Sequence, residues 1–371
     1  MVYFRNSLLV TAGGLLLAAF LGWQMSQSFG GAASTMFIAA VLAILEISLS
    51  FDNAVVNAVV LKKMPPLWRR RFITWGIAIA VFGMRILFPL LVVAIITRID
   101  PLSALIMAAA RPDEYSRILT GAHVSVSAFG GAFLAMVGLK HFLNREKDVH
   151  WIAVIERPLT RLGRIEAVEL ALVLLLLYAV SNLLFALDQL EFLCAGIFGL
   201  LTYIAVDGIS ALLKVESALT GEIVQSGAAS FLYLEVLDAS FSFDGVIGAF
   251  ALSNNLFIIA IGLGVGAMFV RSLTIMLVER ETLASYVYLE HGAFYAMLAL
   301  ALMMFLNAVQ HVPEVITGLV GAGFIVCAFF DSVRYNRRRT APESHESWRQ
   351  KEKGRRAEPQ GDGRRNISSG G

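Results

Sequence analysis

The stretch Glu46-Ile-Ser-Leu-Ser-Phe-Asp52-Asn53-Ala54-Val55 places two carboxylates and an amide inside an apolar run long enough to cross a bilayer. It has an echo in Asp238-Ala-Ser-Phe-Ser-Phe-Asp244-Gly245-Val246. Each has an acid, five intervening residues that end in Ser-Phe, and then an Asp opening on small residues. A charge at mid-membrane costs at least ~3 kcal/mol on insertion scales, so two matching motifs of this kind point to an ion pathway.

Outward from these motifs, the composition agrees. Of 371 residues, 57% are hydrophobic and 16% charged; a soluble domain carries about 25% charged residues, so the chain reads as an all-α polytopic membrane protein. Ten segments reach the roughly 20 apolar residues that a spanning helix needs. They lie at 7–27, 35–61, 72–97, 120–143, 167–187, 191–213, 228–252, 255–278, 286–307 and 313–333. The first has Arg5 ahead of its apolar run and is expected to be a retained signal anchor. Cys194 and Cys327 both fall in apolar segments, which excludes a disulfide framework or thiolate cluster.

Loop charges orient the spans. Lys62, Lys63 and Arg69 to Arg71 follow the second segment, and Arg145, Lys147, Arg157, Arg161 and Arg164 follow the fourth. By the positive-inside rule both loops are cytoplasmic, as are both termini, in a cell membrane (inner or plasma membrane). Residues 334–371 carry a net charge of +6 with many Gly, Ser and Pro, and are expected to form a disordered cytoplasmic tail.

The motif-bearing segments lie five spans apart and therefore cross in opposite directions. Gly76 and Arg85, nine positions apart, follow the first motif, and Gly262 and Arg271 follow the second at the same spacing. Gly131-Ala-Phe133 and Gly292-Ala-Phe294 each lead a later apolar helix. Three consecutive segments thus match in order, which predicts a 3+3 inverted repeat with the site at the repeat interface. The expected organisation is an N-terminal helix (1–34), a first repeat (35–143), a cytoplasmic stretch with two inserted helices (144–227), a second repeat (228–310), a final helix (311–333) and the tail (334–371).

Glu46, Asp52, Asn53, Glu235, Asp238 and Asp244 are the candidate metal ligands. Carboxylate and amide oxygens suit hard divalent cations such as Mn²⁺, Mg²⁺ or Ca²⁺. Glu46, Ser50, Asn53 and Asn57 share one helix face, as do Glu235, Asp238 and Ser242. Asp52 and Asp244 lie six residues beyond Glu46 and Asp238, roughly 240° around an unbroken helix. They join that face only where the helix is distorted; alternatively the two aspartates face each other across an interface. A structural reading pairs the acids with Arg85 and Arg271 as buried salt bridges. His123 and His291 are candidate entrance ligands or interfacial hydrogen-bonding residues. Asp207, deep in the sixth segment, pairs with a lysine, lines a cavity or marks a shifted span.

At Glu46…Ser-Phe-Asp-Asn-Ala and Glu235-Val-Leu-Asp238…Phe-Asp244-Gly the chain resembles the TerC family, within the LysE-type transporter superfamily. Arg85 and Arg271 match that family's intramembrane arginines. The resemblance covers residues 35–143 and 228–333; Gly245 and the added 144–227 stretch depart from it. It implies a non-enzymatic secondary transporter for manganese efflux, or tellurite resistance. On this reading the chain exports a hard divalent cation, Mn²⁺ foremost, with proton exchange as the plausible coupling. Its partners are the cation and the lipid bilayer; neither nucleic acid nor a tightly bound cofactor is implied. The alternatives are a non-transporting scaffold or assembly factor, suggested by the inserted helices and tail, and an intramembrane aspartyl protease. The protease lacks support from a Gly-x-Gly-Asp element.

Overall fold

The computed structural model describes residues 3–144, 149–165, 167–220, 224–250, 252–280, 282–310 and 312–356. Helix accounts for nearly all of them, and no strand occurs among the described residues. This is an all-α polytopic membrane protein, with eight helices among the described residues long and apolar enough to cross a membrane.

The chain opens with a hairpin of α1 (Arg5–Ser26) and α2 (Phe29–Leu49). Gln27 turns it in the left-handed conformation (φ 49°), and the Ser28 side chain caps α2 by accepting from Gly31 N–H. The expected single helix over 35–61 is interrupted. At Ser50 the backbone leaves helical geometry (φ −99°, ψ 18°), and α3 (Phe51–Lys63) continues beyond it. Next comes α4 (Pro66–Ala78), a π-helical segment (Ile79–Leu87) and α5 (Phe88–Thr97). The stretch between the third and fourth expected segments contains two short helices, α6 (Pro101–Ala110) and α7 (Pro112–Gly121). Both begin with proline at the first turn, and Tyr115 and Leu119 anchor α7 in the core.

α8 (His123–Leu143) is a buried central helix, followed by the short α9 (Ala153–Leu162). α10 (Val168–Ser181) has only 14 residues, about 21 Å at 1.5 Å per residue, and is too short to span the ~30 Å core upright. α11 (Ala186–Thr220) packs along α8 and contacts α12 (Val224–Ala249). α12 is long enough to span, yet Glu235, Asp238 and Asp244 make it less apolar than the other spans. The expected ten spans thus become eight strongly apolar helices, with α12 acidic and α10 short. The remaining helices are α13 (Leu256–Glu279), the single-turn α14 (Thr282–Ser285), α15 (Leu289–Val309) and α16 (Glu314–Arg356). α16 runs to Arg356, into the residues expected as the tail; Arg, Glu, Gln and Lys, all good helix formers, dominate residues 343–356. Residues 357–371 lie outside the described residues.

The packing around the motifs has a reciprocal pattern. α13 lies against α2 and α3, while α12 lies against the π segment. α15 touches α3, and α8 touches α12. α13 approaches α2 through glycine: a Cβ at Gly262 would lie 2.6 Å from Leu42 Cβ, and one at Gly266 would lie 2.5 Å from Glu46 Cβ. The two glycines, four residues apart, form a small-residue face that lets the helix axes approach closely.

Candidate functional site

Glu46 lies one turn before the interruption and Asp52 just after it. On either side of the break at Ser50, both carboxylates line one small cavity of about 30 Å³, lined also by Ser50, Phe241, Gly245 and Thr317. That is room for one water molecule or one ion. The distortion expected from spacing is therefore present in the first motif. In the second, α12 runs unbroken past residue 244. Asp244 belongs to this helix, but its side chain, like that of Ser242, lies outside the described residues.

Two further elements complete the cavity wall. α16 contributes Thr317 and Gly318, and a Cβ at Gly321 would lie 3.1 Å from Asp52 Oδ2. α12 presents Gly245, where a Cβ would lie 3.5 Å from Glu46 Oε2. The small residues Gly318 and Gly321, three apart in an apolar helix, were the available signal for α16.

A second polar cavity, about 10 Å³, shares Glu46 with the first and is lined also by Asn53, Asn57, Arg85, Asp238, Arg271 and Thr274. Asn53 Nδ2 donates to Asp238 Oδ1 at 2.9 Å, tying the two motifs together across 185 residues of chain. Asn53 Oδ1, Asn57 Oδ1 and both carboxylate oxygens of Glu235 are buried without a hydrogen-bond partner among the described residues. Buried oxygens normally find a donor, and one left without is costly, so these acceptors are open to a donor or cation; among the described residues, no three Asp, Glu, His or Cys side chains come together as a metal-binding group.

The arginines differ from each other. Arg85 Nη2 donates to Glu46 Oε1 in a buried ion pair, and Arg85 Nη1 donates to Ala80 O at 2.5 Å within the π segment. Ser50 Oγ donates to the same Glu46 oxygen at 3.1 Å. The salt-bridge reading is thus correct for Glu46. Arg271 instead donates to Phe72 O at 2.6 Å and lies over the Phe72 ring, 3.8 Å from its centroid. Gly76 leaves the space beside the Arg271 guanidinium and Glu235 Oε1, where a Cβ would collide.

The other singled-out residues lie elsewhere. His123 Nδ1 is 3.1 Å from Thr120 O at the start of α8. His291 is buried near Glu156 of α9, its Nε2 3.5 Å from Glu156 Oε2 and 2.8 Å from Val149 O. Asp207 pairs with Lys140 at 2.7 Å, with both side chains about half exposed, which resolves its three readings in favour of a lysine partner. Neither histidine lines the two polar cavities.

Residues 51–339 match the family described as "Protein of unknown function (DUF475)". The chain belongs to DUF475. The matched span includes Asp52, Asn53, Arg85, Glu235, Asp238, Asp244 and Arg271, and begins five residues after Glu46. Searches of curated proteins and of solved structures returned no match for this DUF475 chain.

Proposed function

We propose that this protein is a secondary transporter for a hard divalent cation, most consistent with Mn²⁺ export, and not an enzyme. The observation that carries the proposal is the break at Ser50, on either side of which Glu46 and Asp52 line one ion-sized cavity. Four described carboxylates (Glu46, Asp52, Glu235 and Asp238) are buried with two guanidiniums, Arg85 and Arg271. With Asp244 counted, the acids of the two motifs exceed the two guanidiniums by three formal charges, an excess that a bound divalent cation together with a proton would offset. Glu46, Asp52, Asn53 and Asp238 are proposed ligands, with Glu235 at the access side and Asp244 assigned by its place in the second motif.

The reciprocal packing supports an inverted repeat. Exchanging α2/α3 with α12, the π segment with α13, and α8 with α15 maps the α13 contact with α2 and α3 onto that of the π segment with α12, and the α15–α3 contact onto α8–α12. The TerC-type resemblance supports manganese as the ion, and competition between cation and protons for the carboxylates supports proton exchange. Cytoplasmic termini and a cell-membrane location belong to the same proposal, resting on the loop charges.

The test combines binding and flux. Mn²⁺, Mg²⁺, Ca²⁺ and Zn²⁺ are titrated against thermal unfolding of the purified chain, because a ligand that binds the folded state raises its stability. Intracellular manganese is then followed in cells carrying wild type, Asp52→Asn or Asp244→Asn. Stabilisation by Mn²⁺ that Asp52→Asn abolishes, with manganese retained in the mutant cells, supports the assignment. No stabilisation by any of the four metals, together with unchanged manganese in both mutants, rejects it.

A further inference from the structure

The two arginines occupy matching places in the sequence, each nine positions after a glycine in the helix that follows its motif. Their surroundings represent two states of one arrangement. Arg85 is engaged: its guanidinium holds the Glu46 carboxylate. Arg271 is held differently: it donates to the Phe72 carbonyl and lies over the Phe72 ring, beside Glu235 Oε1 but without a hydrogen bond to it among the described residues, and Asp238 accepts from Asn53.

Glu46 also has a singular position. It lines both polar cavities, the first with Asp52, Ser50 and Thr317 and the second with Asn53, Asn57 and Asp238. Its Oε1 takes both donors, Arg85 and Ser50, while its Oε2 faces the open space left by Gly245. Arg85 would not be stranded by losing Glu46, because Nη1 remains bonded to Ala80 O in its own π-helical turn. π-helical turns of this kind recur at functional sites.

We propose that Arg85 is a tethered surrogate cation. In the substrate-free protein its guanidinium occupies Glu46; a divalent cation displaces it, Glu46 turns to the ion, and the two polar cavities join. Arg85 then falls back on the Ala80 carbonyl, as Arg271 already rests on that of Phe72. This rests on the cation-transport reading above and adds the competition between an internal and a transported charge. Arg85 is thereby a positioning residue that sets affinity and permits release.

The test measures Mn²⁺ affinity of the purified full chain in lipid nanodiscs for wild type, Arg85→Gln, Arg85→Lys and Arg271→Gln. With the competitor removed, Arg85→Gln should bind Mn²⁺ about tenfold more tightly, equivalent to about 1.4 kcal/mol. Its metal-free form should melt lower than wild type, since Glu46 is left buried without its partner, and Mn²⁺ should restore the difference. Arg271→Gln should tighten binding about threefold or less, because Arg271 makes no hydrogen bond to a carboxylate among the described residues. If Arg85→Gln does not fold, Arg85→Lys carries the test: an ammonium lacks the two-pronged hold, so affinity should rise about threefold. Unchanged or weaker Mn²⁺ binding in the folded Arg85 variant, or equal tightening by Arg271→Gln, overturns the surrogate-cation role while wild-type binding keeps the transport reading. Absence of Mn²⁺ binding by wild type and every variant overturns both.

Discussion

Replacing Gly266 with alanine tests the site and its packing together. A Cβ at this position would lie 2.5 Å from Glu46 Cβ, 2.6 Å from Glu46 Cγ and 2.9 Å from Ala43 O. Carbon atoms pack at about 3.5–4.0 Å, so α13 must retreat from α2 by about 1 Å or push the Glu46 stem aside. Overpacking of this size costs about 1–3 kcal/mol. Gly262→Ala has the same steric load, 2.6 Å from Leu42 Cβ and 2.9 Å from Ala39 O, but does not touch Glu46. Gly264, between them, faces Val81, whose Cγ1 would be 3.2 Å away and can yield. Reversible unfolding in mixed micelles should therefore place Gly262→Ala and Gly266→Ala about 1–3 kcal/mol below wild type and Gly264→Ala within about 0.5 kcal/mol. Mn²⁺ titration should show about tenfold weaker binding for Gly266→Ala and little change for Gly262→Ala. A Gly264→Ala cost equal to that of its neighbours would refute the packing argument. Equal metal affinities for Gly262→Ala and Gly266→Ala would refute the link between α13 and Glu46.

Further outcomes follow from other contacts. Asn53→Ala removes the hydrogen bond to Asp238 and should cost about 1–3 kcal/mol in unfolding experiments; the same variant should weaken Mn²⁺ binding in titrations. Gly321→Val crowds Asp52 Oδ2 from α16, so it should reduce Mn²⁺-dependent stabilisation more than it lowers the melting temperature of the metal-free protein. Lys140→Ala breaks a half-exposed ion pair with Asp207 and should change stability by less than about 1 kcal/mol, with manganese efflux in cells unaffected.

The local chemistry of the site was legible because intramembrane acids are rare: Glu46, Asp52, Asn53, Glu235 and Asp238 stand out from their surroundings, and all are buried. The distortion between Glu46 and Asp52 followed from six residues at 100° each. Its confinement to the first motif did not, since both motifs share Ser-Phe-Asp and the second, with Gly245 after its Asp, is the one that runs on as an unbroken helix. α16 escaped notice as a wall of the cavity because its contribution is space: glycines carry no chemical mark of what they adjoin. The helices α6 and α7 were hidden by charges that suggest a loop, whereas Tyr115 and Leu119 bury one face of α7. The different roles of Arg85 and Arg271 depend on which backbone carbonyl lies within reach, and no residue type encodes that.

The turn at Ser50 also has an electrical consequence. It makes the C-terminal end of α2 meet the N-terminal end of α3 at the depth of the cavity. A helix carries partial negative charge at its C-terminus and partial positive charge at its N-terminus. Asp52 lies in the first turn of α3 and accepts from Asn53 N–H at 2.9 Å, so the α3 end steadies its negative charge. Glu46 lies in the last turn of α2, where the carbonyl end favours a positive charge beside it. One change of backbone direction therefore gives the same cavity an end that holds an anion and an end that draws a cation, with opposite fields a few residues apart.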